Sequence, residues 1–207
     1  MMSDPEEKDK FCKQAEKDWE LILLKRAEEL VLGGSMVLIQ FAVDEQGQYL
    51  GHTNGSKVSM FHQMCDLWRG LVNEGRITEE EFQRTTFVNY YRTEKEFKKP
   101  FKQADSPVSQ KGLELVSVET RVVRCPYHQR WMTENGDPKA HAKWYIPTLR
   151  TWSNSTFLSG LSDSRSAEEK ADIVDELFQR YESEVAKAPE DHGMDYVHAY
   201  IVVQKRR

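Results

Sequence analysis

Arg26-Ala-Glu-Glu-Leu-Val-Leu-Gly-Gly-Ser-Met-Val-Leu-Ile-Gln-Phe41 reads as a helix that stops at two glycines and turns at once into an apolar strand. Gly33 and Gly34 supply the positive φ that residues with a Cβ resist, so they end the helix. Ser35–Val43 is a near-continuous apolar run with β-branched and aromatic content, the pattern of a strand covered on both faces inside an α/β sheet. Such a strand needs neighbours, and nothing before residue 35 reads as one. The stretch looks like the middle of a fold.

Upstream, a long helix is expected from Pro5 to Leu32. Ser3 or Asp4 can cap it, Pro5 suits the first helical position, and Glu6 and Glu7 oppose the positive end of the dipole. Its apolar face runs Cys12, Ala15, Trp19, Ile22, Leu23, Ala27, Leu30, Val31 at three-and-four spacing. Downstream, residues 46–57 form a loop and helices follow. They are expected over Ser59 to Asn73, Thr78 to Thr85 and Thr93 to Phe101, the last two opened by capping boxes with Glu81 and Glu96. Asp105-Ser-Pro-Val is expected as loop. Leu113 to Val123 alternates as a strand does. Pro138 to Leu158 should be a helix that bends or breaks at Pro147, and Ala167 to Val185 a second helix. Tyr196 to Gln204 closes as a buried strand. Three strands with this much helix make a poor sheet alone.

The chain has 207 residues, 39% hydrophobic and 30% charged, which is ordinary for a soluble globular protein with one sizeable core. The formal net charge of −5 argues against a phosphate-binding surface, so no nucleic-acid partner is expected. The basic run Lys95 to Lys102 is interleaved with Glu94, Glu96 and two Phe, the pattern of a solvated helix face. Three separated cysteines, Cys12, Cys65 and Cys125, fit a reducing compartment. The polar, acidic N-terminus is not a signal peptide, and no apolar run approaches the ~20 residues a membrane span needs. A cytoplasmic protein without a membrane partner is expected.

Catalytic constellations are scarce. Cys125-Pro-Tyr-His128 offers two metal ligands with no second pair to complete a site, and a loop thiol beside a surface imidazole is the simpler reading. Asp191 and His192 read as a solvated pair in a turn. No nucleophile elbow, P-loop or Gly-x-Gly-x-x-Gly is present. Gly33-Gly34 stands after a helix and before a strand, the reverse of a phosphate-cradling turn. Met60, Phe61, Met64, Leu67, Trp68 and Leu71 stripe one helix face, and Thr148 to Trp152 holds a second apolar group. Both patterns suit a core, and both suit the wall of a pocket for a small apolar ligand. Periodicity does not separate the two.

Residues 26–38 resemble the "R-x-E-E-L-V-P-G-G-x-M-V-L" junction before the fifth strand of plant salicylate/benzoate/theobromine-type (SABATH) carboxyl methyltransferases, with Leu32 in place of Pro. Phe11-Cys-Lys-Gln-Ala-Glu-Lys-Asp-Trp19 is similar to that family's "K-Q-x-x-x-D-F" lead-in. Leu71-Val-Asn-Glu-Gly-Arg-Ile-Thr-Glu-Glu-Glu81 is similar to its "M-V-x-E-G-L-I-x-E-E-E" cap segment, and Tyr196 to Arg206 to its terminal strand. The resemblance spans nearly the whole chain, diverging over Val108 to Ala140.

The resemblance implies an α/β fold: the C-terminal part of a class I (Rossmann-like) methyltransferase sheet with a helical cap. Residues 1–45 would be a helix and strand of the core, 46–110 the helical cap, and 111–207 the remaining core strands with cap helices. It implies S-adenosylmethionine as methyl donor, its main site outside this chain because the glycine-rich turn and ribose-holding acid of the family's first half are missing. The acceptor would be a small apolar or aromatic carboxylic acid. Met60 and Phe61 fall where the family walls its acceptor pocket, Phe61 replacing a Trp. Leu149 and Tyr196 fall near two further wall residues, and His62 and Trp152 adjoin them. The family's Mg2+-binding Asp-x-Phe-Asn has no Asp here, in Arg84-Thr-Thr-Phe-Val-Asn89, so no metal is expected. Family members often form homodimers. No catalytic acid or base is expected, since a carboxylate is already ionised at pH 7. The alternative is a non-catalytic truncated product that serves as a partner-binding or structural remnant.

Overall fold

The computed structural model describes residues 5–87, 89–102, 105–134 and 136–206. The expected caps Ser3 and Asp4 lie outside them. The chain forms two compact units, each built from separated stretches of sequence.

The first unit comprises Ser3–Leu50, Asn89–Val123 and Tyr196–Arg207. It holds α1 (Pro5–Glu29), β1 (Ser35–Val43), β2 (Arg92–Thr93), α4 (Glu94–Lys98), α5 (Pro107–Gln110), β3 (Leu113–Val123) and β4 (Tyr196–Lys205). The sheet order is β2-β1-β4-β3. β4 runs antiparallel between β1 and β3, pairing Ser35 with Gln204 through Phe41 with His198, and Leu113 with Lys205 through Val123 with Tyr196. A bulge at Leu115/Ser117 interrupts β3. β2 lies parallel to β1 and touches only Ala42 and Val43, so the outer edge of residues 35–41 is unpaired among the described residues.

Ala15, Trp19, Leu23 and Ala27 form the buried stripe of α1, one residue in four on a single helix face. Trp19, Leu23 and Ala27 pack on Ala42, Leu113, Val197, Ala199, Ile201 and Val203 with Phe97 and Val108. Trp19 closes the group by donating Nε1–H to the Phe97 carbonyl at 3.1 Å. Helix α1 stops at Glu29, three residues short of the expected end. Gly33, at φ 77°, then starts the turn and donates its N–H to the Lys205 carbonyl at 2.7 Å. Ile22 and Val31, expected on the apolar face, are exposed.

One expectation for β1 is corrected. The strand is covered on one face only: Val37, Ile39 and Phe41 are 65%, 54% and 45% exposed. Alternation along a strand sends odd and even positions to opposite faces, and α1 covers only the even one.

The second unit comprises Gly51–Val88 and Arg124–Asp195. Its described secondary structure is helical: α2 (Met60–Asn73), α3 (Glu79–Arg84), α6 (Pro126–Glu134), α7 (Pro138–Gly160) and α8 (Ala167–Lys187). A single parallel bridge joins Val58 and His192. Met64, Trp68 and Leu71 of α2 are buried, as are Tyr145, Leu149 and Phe157 of α7 and Val174, Leu177 and Tyr181 of α8. These residues share helix faces at three-and-four spacing, which is why the unit coheres.

The capping boxes Thr78–Glu81 and Thr93–Glu96 form as expected. Three local expectations fail. Cys125-Pro-Tyr-His128 is the start of α6, with Pro126 at its first position. Residues 107–110 are a short helix capped by Ser106. Helix α7 runs through Pro147 without interruption. Pro147 costs one backbone donor there, and Tyr145, Ile146 and Leu149 on both sides of it stay buried, so tertiary packing outweighs the break.

Candidate functional site

In the helical unit the start of α2 is pinned by the buried Asp195. Its carbonyl accepts the Gly51 N–H at 2.8 Å, and the Gly51 carbonyl accepts the Met60 N–H at 2.9 Å. Its carboxylate accepts from Cys125 N and Arg124 Nη1, each at 2.7 Å, and from Thr53 Oγ1 at 3.1 Å. Asp195 thus holds the loop at Gly51 and Thr53, and Gly51 in turn holds the start of α2 at Met60.

From that start, Phe61 projects into a triangle of partly buried rings. Its centroid lies 5.5 Å from Phe87 and 6.1 Å from Trp152, and Phe87 lies 5.9 Å from Trp152. All three contacts are edge-on or tilted, the arrangement that aromatic quadrupoles favour. Phe157 closes the back of Phe87 at 5.5 Å. The structure thus brings Phe61 and Trp152 together. Met60 and Leu149 are 1% and 0% exposed and sit in the core of the same unit. His62 is exposed, with the His52 ring 6.2 Å away.

Tyr196 belongs to the sheet unit, at the start of β4. There it meets Phe41 at 5.4 Å and His198 at 4.6 Å, and Phe41 lies 5.2 Å from His198. Tyr91 approaches Phe41 at 6.3 Å and stacks on Tyr49 at 5.7 Å. The group sits at the carboxyl end of β1, the end where open α/β sheets place their ligands. Burial pushes the Tyr91 phenol up to about 12, and its hydroxyl has no partner among the described residues. Burial also lowers His198, favouring the neutral imidazole.

Sequence reasoning missed Phe87, Phe41, Tyr91 and His198 as site candidates. Phe87 lies in a loop with no periodicity to flag it. Phe41 and His198 carry a signal in hindsight, since both occupy the β-strand face opposite the core alternation.

Among the described residues no group of three or more His, Cys, Asp or Glu is arranged to hold a metal ion. Among them, too, no helix is long and apolar enough to cross a membrane.

The profile of the SAM dependent carboxyl methyltransferase family matches residues 1–206. The chain belongs to that family. A search of curated proteins found no match. Carboxyl methyltransferases of this family take S-adenosylmethionine as methyl donor and a small-molecule acid as acceptor.

The residues present do not fit the donor. An α/β sheet holds a nucleoside with a free glycine-rich turn and with an acid at a strand end for the ribose hydroxyls. Here the Gly33 and Gly34 N–H groups are spent on the Lys205 and Val31 carbonyls. Asp44, at the end of β1, is spent on its own loop. Its Oδ1 accepts from Gln46 N at 2.9 Å and Gln48 N at 2.8 Å, and its Oδ2 from Gln48 Nε2 at 2.9 Å. The glycine pair before β1 and the acid at its end therefore offer neither a free cradle nor a free ribose acid.

Proposed function

We propose that the chain is the acceptor-selecting portion of a carboxyl methyltransferase for a small apolar or aromatic acid, with the donor held by groups beyond the described residues. The single observation that carries the reading is the Phe61–Phe87–Trp152 triangle, a partly open aromatic wall on a pinned helix start. The strand order supports the architectural half of the reading. An antiparallel β4 between β1 and β3 suits the far edge of a Rossmann-like sheet, and the helical unit suits a cap.

The chemistry asks little acid–base work of these side chains. An acceptor carboxylate is already the nucleophile at neutral pH. What the protein must add is alignment of that oxygen and exclusion of water. Phe61, Phe87 and Trp152 would grip the apolar body of the acid from the helical unit, with Met60 and Leu149 setting their positions from below and His62 at the margin. Within the sheet unit by itself, Tyr196 would be a candidate acceptor-contacting residue beside Phe41 and His198. The three cysteines are free thiols, which fits cytoplasmic conditions.

The test is binding of benzoate to the full chain, followed by titration calorimetry. Phe61→Ala and Trp152→Ala should each weaken it about tenfold, the loss of one aromatic contact of roughly 1.4 kcal/mol. Equal affinity in both variants would place the acceptor elsewhere.

The unpaired edge of β1 favours a second reading, in which the chain works by pairing with another polypeptide. Light scattering over a range of concentrations tests its simplest form, a homodimer. Strict monomer behaviour would remove that form.

A further inference from the structure

A cleft of about 260 Å³ opens in the sheet unit between α1, the segment entering β2, and the α4–α5 connection. Trp19, Tyr90 and Pro107 give it apolar walls, and its polar lining carries both signs of charge.

The charges divide into those already satisfied and those left over. Lys99 pairs with Glu16. Glu96 is committed: one oxygen accepts the Tyr90 hydroxyl, and the other accepts the Thr93 N–H at 2.8 Å in the capping box. Three charged groups remain. The Glu20 and Asp105 carboxylates line the cleft without an ion pair or hydrogen bond from any described residue. Arg92 makes no ion pair with any described residue. Its Nη2 donates to the Ala15 carbonyl at 2.6 Å and its Nη1 to Gln40 Oε1 at 3.4 Å, while its buried Nε–H has no partner among the described residues.

A half-buried guanidinium with spare donors favours an incoming carboxylate, since a desolvated cation gains most from an opposite charge. Burial draws Arg92 below its ordinary value, against the opposing pull of the Asp18 and Glu96 carboxylates. The two free carboxylates of the same cleft would repel a simple anion, and Arg92 would repel a simple cation. A ligand that bears both charges a short distance apart meets neither objection.

We propose that this cleft binds a small zwitterion of the amino-acid class, its carboxylate at Arg92 and its ammonium at Glu20 and Asp105, with Trp19, Tyr90 and Pro107 around its apolar part. The volume falls just below the ~300 Å³ at which drug-sized sites begin, which suits a ligand of about ten heavy atoms. The site shares no residue with either aromatic group described above, and it stands or falls independently of methyl transfer.

The experiment titrates the full isotope-labelled chain with L-leucine and with its two half-charged analogues, 4-methylpentanoate and 3-methylbutylamine. The readout is the amide shifts of Tyr90, Tyr91 and Ser106. Leucine should move them saturably and bind at least about tenfold more tightly than either analogue. Glu20→Gln and Asp105→Asn, at rim positions with no internal partner to lose, should each weaken leucine several-fold and leave 4-methylpentanoate unchanged or tighter. Arg92→Gln should abolish binding of both carboxylates. Equal affinity for leucine and either analogue would overturn the proposal, as would insensitivity to Glu20→Gln. Silence of those amides with all three probes would mean that the cleft holds only water, and would overturn it too.

Discussion

Glu81 shows how much one side chain can carry. It is 2% exposed, and both its oxygens are doubly engaged. Oε1 accepts from Arg165 Nε and from Ser162 N at 2.8 Å; Oε2 accepts from Arg165 Nη2 and Thr78 N, each at 2.8 Å. The Arg165 hydrogen bonds, helped by the two backbone donors and opposed by burial, pull its carboxyl from 4.5 down to about 2. A depressed acid stabilises the fold above its unfolded value and loses that contribution as pH falls through the folded one. Acid titration should therefore show stability of roughly 3 kcal/mol draining away between about pH 4.5 and pH 2. Glu81→Gln should cost about 3–5 kcal/mol at neutral pH by stranding Arg165, and should flatten that acid limb. Gly160 carries a different constraint. A Cβ there would lie 2.0 Å from Thr85 Oγ1, the atom that accepts the Trp68 indole N–H. Urea unfolding of Gly160→Ala should show a loss of about 1–3 kcal/mol from overpacking, with the indole bond disturbed.

Elements were legible where pattern and chemistry agreed. The α1–β1 junction was, because a glycine pair at a period change is unambiguous, and so were the two capping boxes, because Thr78 and Thr93 each stand three residues before a Glu. Strand β2 was not: two residues have no period, and Arg92–Thr93 is a strand only because Ala42 and Val43 lie beside it. Helix α6 was not legible, because Cys125 and His128 read as a loop thiol beside a surface imidazole, although Pro126 suits a first helical position and Arg130 stands four residues before Glu134, with which it pairs at 2.7 Å. Of the site, Phe61 and Trp152 could be read from a stripe and a resemblance. Phe87 could not, since its partners meet it only through space. One tie between elements has a measurable cost. Lys205 Nζ donates to the Ala27 and Leu30 carbonyls at 2.6 and 2.9 Å, capping the negative end of α1 from β4. Lys205→Met should cost about 1.5–3 kcal/mol and speed amide exchange in the last turn of α1.

At the scale of the molecule, family membership and donor chemistry part company. The chain matches its family over residues 1–206, yet Gly33, Gly34 and Asp44 are all committed to internal bonds. Calorimetry of the full chain with S-adenosylmethionine should register no saturable heat. Tight binding would show that a donor site can be built from these residues after all. The acceptor proposal does not share that fate, because its aromatic rings lie elsewhere.

The middle position of β4 sets an order of events during synthesis. β1 and β3 do not touch one another; each pairs with β4, which leaves the ribosome after both. While the nascent chain grows, Trp19 and Leu23 have no floor to settle on, and the uncharged row from Met36 to Phe41 waits beside them. Pairings so distant along the chain form slowly, and waiting strands are the ones neighbouring chains capture. Yield in a cell would then follow translation speed and chaperone supply more closely than the stability of the finished fold.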